Sequence, residues 1–389
     1  MARGNRKTCV IVGLTFLLGW VSACREGPSP AQVEGVLKTS WQSYVKHHIS
    51  IEGRVVISER GGETISEAQA YALLRAYLAK DEETFARVYR WTYNHLSRAR
   101  TQGDSLLSWR WGRGPDGSWG VLDVNTASDA DLDYALALVL AGRRGWRAPV
   151  GVPDYLEEAR RVAGAILNKE VVTLPTGELL LTGGNWHEPH PPYLVNPSYF
   201  SPGAYSLLAQ VLPDPRWEGL RRYTYRLVES LGQRLGEQPG VGLVPDWCRL
   251  DAQGRPAAPG RDTDFGWEAV RLPFRLALDF LWFKEERAAR LLAGQFLPFF
   301  KKAWQVQGKL AAVYTYDGQP RTTYESPVIY AGALAAALSA GEQDFARQMA
   351  QKILSSYQEK DGRAYFVSAD NYYADNWAWL GLALYAGWI

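Results

Sequence analysis

Glu67, Asp129 and Glu268 each stand at the start of a long apolar stretch in which further charges are few. In Ser66-Glu67-Ala68-Gln69 and Ser128-Asp129-Ala130-Asp131, a serine suited to a helix N-cap precedes the carboxylate. Gln69 has the spacing to complete a capping box with Ser66. Acidic side chains in a helix's first turn ordinarily serve the helix dipole, and each of these, taken singly, fits that reading. Gathered at one mouth of a fold, they fit another. Cleaving an acetal needs a proton for the leaving oxygen, a base to activate water if configuration inverts, and support for a cationic sugar. Two carboxyl groups across the ring suffice. Glu67 as the acid must hold its proton near neutral pH, although a helix N-terminus favours the charged form. Burial against aromatic walls and the negative charge of Asp129 are expected to outweigh the dipole.

Helices must position these groups, and the chain carries two alternating kinds. Charged amphipathic patterns fall near 31–48, 82–98, 154–168, 215–234, 285–305 and 341–357. Between them lie patterns rich in Ala, Gly and Leu, near 66–79, 128–141, 198–211, 266–283, 326–339 and 375–388. Helices apolar around most of their circumference are buried on nearly all sides. Strict outer-inner alternation predicts an all-α fold, an (α/α)6 barrel with the apolar set inside and a single catalytic domain over 34–389. An open α-solenoid is the competitor, but no repeated motif of fixed period supports it. Parallel inner helices would gather Glu67, Asp129 and Glu268 at one mouth. The long aromatic loops Leu106 to Asn125 and Thr182 to Tyr199 would form the cleft walls.

Composition agrees with a large globular unit: 389 residues, 47% apolar and 22% charged. A net charge of +2 gives no basis for a nucleic-acid partner. The 16 Trp and 21 Tyr exceed what a core of this size needs, and such part-polar rings suit sugar faces, although helix packing absorbs most of them. At the N-terminus, Arg3, Arg6 and Lys7 precede an apolar run from Cys9 to Trp20, then Val21-Ser22-Ala23-Cys24. This reads as a lipoprotein signal peptide over 1–23, with Cys24 lipidated and a tether over 24–33. A plain signal peptide and an anchor helix are the alternatives, but the run is short for a span of about 20 residues. The expectation is an exported protein, lipid-anchored to the bacterial cell envelope on its periplasmic or extracellular face. After processing only Cys248 could remain as a thiol, so no intramolecular disulfide is expected.

The motifs resemble glycoside hydrolase family 8. Ser66-Glu67-Ala68-Gln69-Ala70-Tyr71 is similar to its S-E-G-Q-x-Y motif, whose glutamate is the general acid. Ala127-Ser128-Asp129-Ala130-Asp131 resembles the signature A-[ST]-D-[AG]-D, whose first aspartate supports the distorted sugar. Asn196-Pro197-Ser198-Tyr199-Phe200, Pro245-Asp246-Trp247 and the closing Trp377 to Leu384 extend the likeness over roughly 35–389. The resemblance implies an inverting enzyme on an (α/α)6 barrel. One departure matters. Where many members carry Y-D-A-x-R-x-P with the aspartate as base, this chain has Trp267-Glu268-Ala269-Val270-Arg271-Leu272-Pro273. Glu268 keeps the carboxylate on one more methylene and is the expected base, with Asp262 and Asp264 as alternatives, since other branches use an inserted loop. A misplacement of about an ångström can otherwise cost about 100-fold.

Arg271 is expected to hold the neighbouring carboxylates or a sugar hydroxyl, or else to act as a plain salt bridge. Trp109, Trp111, Trp186, Tyr372 and Tyr373 are candidates for stacking on sugar, Tyr199 for orienting water, and Asp131 is grouped with the substrate contacts. In His187-Glu188-Pro189-His190 the proline breaks the spacing that metal ligands use on a helix, so no metal and no other cofactor is expected. The activity implied is inverting endo-hydrolysis of β-1,4-linked glucan by a monomer. The alternatives are a chitosanase, lichenase or xylanase on the same scaffold, or a weakly catalytic polysaccharide-binding accessory protein.

Overall fold

The structure is a computed structural model and describes residues 27–258 and 262–389. The expected signal peptide, Cys24 and the start of the tether lie outside the described residues. The helices, numbered in chain order, are α1 (Pro30–His48), α2 (Ser66–Leu78), α3 (Glu82–His95), α4 (Ser128–Arg143), α5 (Tyr155–Lys169), α6 (Pro202–Val211) and α7 (Arg216–Gln233). They continue with α8 (Leu272–Phe283), α9 (Glu286–Leu291), α10 (Leu297–Gln307), α11 (Pro327–Ser339), α12 (Gln343–Leu354) and α13 (Tyr372–Tyr385). A π-turn over Leu292–Phe296 joins α9 to α10, so the two make one rod.

Six helices form an inner ring: α2 packs on α4, α4 on α6, α6 on α8, α8 on α11, α11 on α13, and α13 closes back on α2. Each lies against an outer helix, and α1 closes the outer layer by packing on α13. This is the (α/α)6 barrel that the alternation of patterns predicted. Small residues let inner helices approach. A Cβ on Gly332 of α11 would meet the Val270 carbonyl oxygen at 2.6 Å. Glycine there keeps α11 close to the turn that carries Arg271.

Local details differ from the sequence reading at three helix starts. A two-residue strand, Thr64–Ile65, pairs with Trp111 and Arg110, and the Ser66 amide donates to the Trp109 carbonyl at 3.0 Å. The chain therefore enters α2 from a sheet, and Ser66 makes no cap hydrogen bond. Gln69 does not close a capping box; it receives the Val55 amide at 2.6 Å and donates to Thr92 Oγ1 at 2.7 Å, tying α2 to α3. Ser128 is likewise no cap, because its hydroxyl donates to the Thr182 carbonyl at 2.6 Å. The stretch expected as helix from 266 is a turn followed by a 3-10 segment, Ala269–Arg271, before α8 begins at Leu272 with Pro273 in its first turn.

Short strands rim the mouth to which the inner helices point their N-termini. Thr64–Ile65, Arg110–Arg113 and Trp119–Asp123 make one three-stranded sheet, and Tyr193–Val195, Cys248–Leu250 and Pro256–Ala257 make another. Cys248 is a buried free thiol, pushed by burial up to about 12. Among the described residues no helix is long and apolar enough to cross a membrane.

Candidate active site

Arg271, fully buried, is the hub around which the acidic residues gather. Its Nη1 donates to Glu67 Oε2 at 2.7 Å and to Asp129 Oδ2 at 3.0 Å. Its Nη2 donates to Glu268 Oε2 and, at 2.7 Å, to Ser198 Oγ. Four inner-ring segments thus meet on one guanidinium. Glu67 comes from α2, Asp129 from α4, Ser198 from the turn before α6, and Glu268 from the turn before α8. Fork geometry explains why arginine does this: its planar donors reach several carboxylates at fixed angles.

Three carboxylates share one cation in a site largely out of water, so full ionisation would leave two uncompensated charges. Protons stay on instead. Burial pushes the Glu67 carboxyl up, against Arg271, and the nearby negative charge of Glu268 pushes it further. Glu268 therefore takes the part the sequence reading had given to Asp129. Burial also pushes Asp129 up to about 7, with Arg271 opposing and the charge of Glu67 reinforcing it. Tyr372, expected as a sugar platform, is buried and donates its hydroxyl to Glu67 Oε1 at 2.7 Å. Both oxygens of Glu67 are thereby held in place.

Glu268 is the most open of the three, its side chain 37% exposed. Oε2 is held by Arg271 and by Asn196 Nδ2 at 3.1 Å, while Oε1 has no hydrogen-bond partner among the described residues. Beneath it, Asp246 Oδ1 receives the backbone amides of Gly266, Glu268 and Ala269 at 3.1, 3.0 and 2.7 Å. Asp246 fastens the turn that presents Glu268, and burial pushes its own carboxyl up to about 7. Sequence reading quoted Asp246 only as part of a motif. Of the alternative bases, Asp264 is paired with Arg321 at 3.0 Å, and Asp262 lies on the cleft wall.

A second rung lies one helical turn deeper. Asp133, four residues after Asp129, forms a bidentate pair with Arg275, four residues after Arg271, at 2.6 and 2.8 Å. It went unread in the sequence, although D-x-x-x-D on one inner helix and R-x-x-x-R on another carry its signal. Below it lies a small, mostly apolar pocket of about 40 Å³, lined by Leu74, Leu136, Phe274 and Trp377 among others.

Above the rungs runs a cleft of about 600 Å³ lined by Trp109, Asp123, Asn125, Trp186, Tyr199, Trp247 and Asp262, among others. Both loops expected as walls contribute. Trp186 is 41% exposed, its indole N–H donating to the Thr126 carbonyl at 3.0 Å, and it tilts toward Trp247 at 6.4 Å. Tyr199 lies over the Arg271 guanidinium at 5.4 Å, joining cleft to hub. Trp247 was not singled out from sequence beyond its motif.

Two expected contacts lie elsewhere. A β-bulge between Arg110 and Trp111 shifts the register, and Trp111 packs on Trp91 of α3 and Trp119 at 5.2 and 5.0 Å. Asp131 is fully buried, receiving the Leu107 amide at 2.8 Å, and faces no cleft. Tyr373 donates its hydroxyl to the Trp267 carbonyl at the rim. Glu188 of the His187–His190 segment pairs with Arg249 at 3.0 Å.

The architecture and site define a class: (α/α)6 barrels that present a carboxylate cluster beneath an aromatic cleft at the mouth of the inner ring. Within that class the chain belongs to the Glycosyl hydrolases family 8, whose profile matches residues 17–379. It is 33% identical over 234 residues to an endoglucanase of Xanthomonas axonopodis pv. citri, covering 60% of this chain and 58% of that protein. It is 31% identical over 264 residues to endoglucanase A of Acetivibrio thermocellus, covering 66% of this chain and 52% of the relative. The match thus spans little more than half the length of these curated relatives. Among solved structures, the endo-β-1,4-glucanase of Acetobacter xylinum superposes with a TM-score of 0.69 at 25% identity, covering 93% of this chain and all of that one.

Proposed function

We propose that this chain hydrolyses β-1,4-linked glucan within the polymer, with inversion at the anomeric carbon. The observation that supports it best is the shared hub: three carboxylates on Arg271, one buried and two differently exposed, directly below an aromatic cleft. Glu67, kept protonated by burial, donates to the leaving oxygen. Glu268 takes a proton from the attacking water through its free Oε1, while Arg271 and Asn196 hold its other oxygen. Asp129 faces the developing cationic sugar. The extra methylene of glutamate is accommodated because Oε2 folds back onto Arg271. Trp109, Trp186 and Trp247 offer flat faces for successive sugars.

Stereochemistry tests the reading. Product released from a soluble glucan and followed by NMR should appear first as the α-anomer, and Glu67→Gln should remove hydrolysis while glucan binding persists. First-formed β-anomer would refute inversion, and near-normal turnover by Glu67→Gln would refute the acid.

That the relatives described above are endoglucanases, and the superposed structure an endo-β-1,4-glucanase, supports β-1,4-glucan as the substrate. We further propose that the whole of 34–389 acts as one catalytic domain and that the chain is exported and tethered to the cell envelope by lipid on Cys24. The lipobox-like Val21-Ser22-Ala23-Cys24 is what supports this anchor.

A further inference from the structure

Behind the cleft wall lies a pair of acidic side chains that the reaction does not use. Asp131 of α4 and Glu170, the residue that ends α5, are both fully buried. Each has one oxygen engaged: Asp131 Oδ1 receives the Leu107 amide at 2.8 Å, and Glu170 Oε1 receives the Thr126 hydroxyl at 2.5 Å. Each has one oxygen, Asp131 Oδ2 and Glu170 Oε2, buried without a donor. The two side chains lie within hydrogen-bond reach of one another. Two carboxylates cannot satisfy each other, whereas a carboxyl and a carboxylate can, through one proton.

We propose that Asp131 and Glu170 share a single proton and act as positioning residues, clamping both walls of the cleft onto the helix that carries Asp129. The connections are short. Leu107 belongs to the first wall. Thr126 exchanges hydrogen bonds with Asn185, its amide donating at 2.9 Å and its hydroxyl receiving at 3.0 Å, and its carbonyl holds the Trp186 indole. The Glu170 carbonyl receives the amide of Thr182, whose own carbonyl holds Ser128 beside Asp129. Removing the proton would set two negative charges against each other under Thr126, Ala127 and Gly183, which floor the cleft.

The pair has a direction in pH. Burial, followed by the charge of Glu170, pushes Asp131 well above the usual carboxylate range, and burial pushes Glu170 up to about 7. The other charges facing it are few. Arg98, bonded to the Val124 carbonyl and Asp104, lowers both groups, Asp129 on α4 raises Glu170, and Lys169 beside Glu170 is exposed. Because the folded state holds the proton more tightly than the unfolded chain, the contribution is present at low pH. It is full below the ordinary carboxylate range, about pH 4, and fades as pH rises from there through the neutral range.

Amide replacements test the sharing. In Glu170→Gln or Asp131→Asn, the new amide donates permanently to the remaining carboxylate, so each single variant should match the parent's urea midpoint at about pH 4 and rise above it as pH increases. Each should also lose part of the decline in midpoint that the parent shows toward about pH 9. The double variant turns donor against donor and should fall below the sum of the singles. With a soluble glucan, the KM of the double should rise about tenfold beyond that sum. Glu170→Ala, which strands Asp131, should lose midpoint at every pH. An additive double variant, or singles as damaged as Glu170→Ala, would overturn the shared proton. Singles whose KM rises on the alkaline side as steeply as the parent's would overturn the positioning role. The unfolding arm is independent of the substrate, so a failure of the glucan assignment would leave it readable.

Discussion

Replacing Arg271 by methionine keeps an unbranched apolar stem, shorter than that of arginine, and removes the cation and its donors from a buried site. Glu67, Asp129 and Glu268 then face one another with no cation in contact, since Arg275 is paired with Asp133, and Ser198 and Tyr71 lose a donor. Breaking a buried ion pair by removing one partner costs about 3–5 kcal/mol. The protein has one escape, which is to take up a further proton. For a carboxyl of ordinary pKa about 4.3, that costs about 1.4 kcal/mol per pH unit, hence about 5 kcal/mol at pH 8 but only about 1 at pH 5. Whichever route is cheaper sets the loss, so Arg271→Met should destabilise by about 3–5 kcal/mol at pH 8 and about 1–2 at pH 5. The sign follows from linkage. The variant's folded state binds more protons than its unfolded state across that window, so its stability falls as pH rises. Equilibrium urea unfolding of parent and variant at both pH values measures it. An equal loss at pH 5 and pH 8 would show that the guanidinium does not compensate the cluster, and the account of why Glu67 holds its proton would fall with it.

The remaining expectations concern the base and the anchor. Glu268→Asp should retain or raise turnover, because the family's usual aspartate would regain its reach, whereas Glu268→Ala should lower kcat by about 100-fold or more. Unchanged turnover in Glu268→Ala would move the base to another carboxylate, Asp262 being the first to try. If the proposed lipid anchor holds, Cys24→Ala should shift the protein from the membrane fraction to the soluble one, and retention on the membrane would refute lipid at that residue.

The barrel was legible because inner and outer helices obey different burial rules and therefore different composition. The Ala-rich 326–339 stretch could only be a helix with neighbours on every side, and α11 is that helix. Helix starts were less legible. A serine before a carboxylate is a sound cap signal, but at Ser66 a strand and at Ser128 the Thr182 carbonyl claim the local hydrogen bonds. Such long-range partners leave no trace in a four-residue window. The cluster of Glu67, Asp129 and Glu268 was visible as three helix starts, and Arg271, expected to hold neighbouring carboxylates or a sugar hydroxyl, holds all three carboxylates. Asp131 misled for a related reason. One residue on a helix turns the side chain by about 100°, so two steps from Asp129 point it away from the mouth. Trp111 misled because a single bulge reverses which face of a strand a side chain takes.

The closure of the ring by α1 and α13 has a consequence for how the chain reaches this state. Trp379 donates to the Leu37 carbonyl at 2.9 Å, and Arg75 of α2 is boxed by Trp41, Tyr44 and Trp379 while pairing with Asp375. The earliest described helix and the latest are therefore each other's wall, and the first inner helix has its charge neutralised by the last. During synthesis, α2 must wait for some 300 residues before the partner of its buried arginine exists. Contacts of such separation are slow to form and leave apolar faces open meanwhile. The ring is thus closed only by its last helix, like a hoop whose ends are the last parts to be joined.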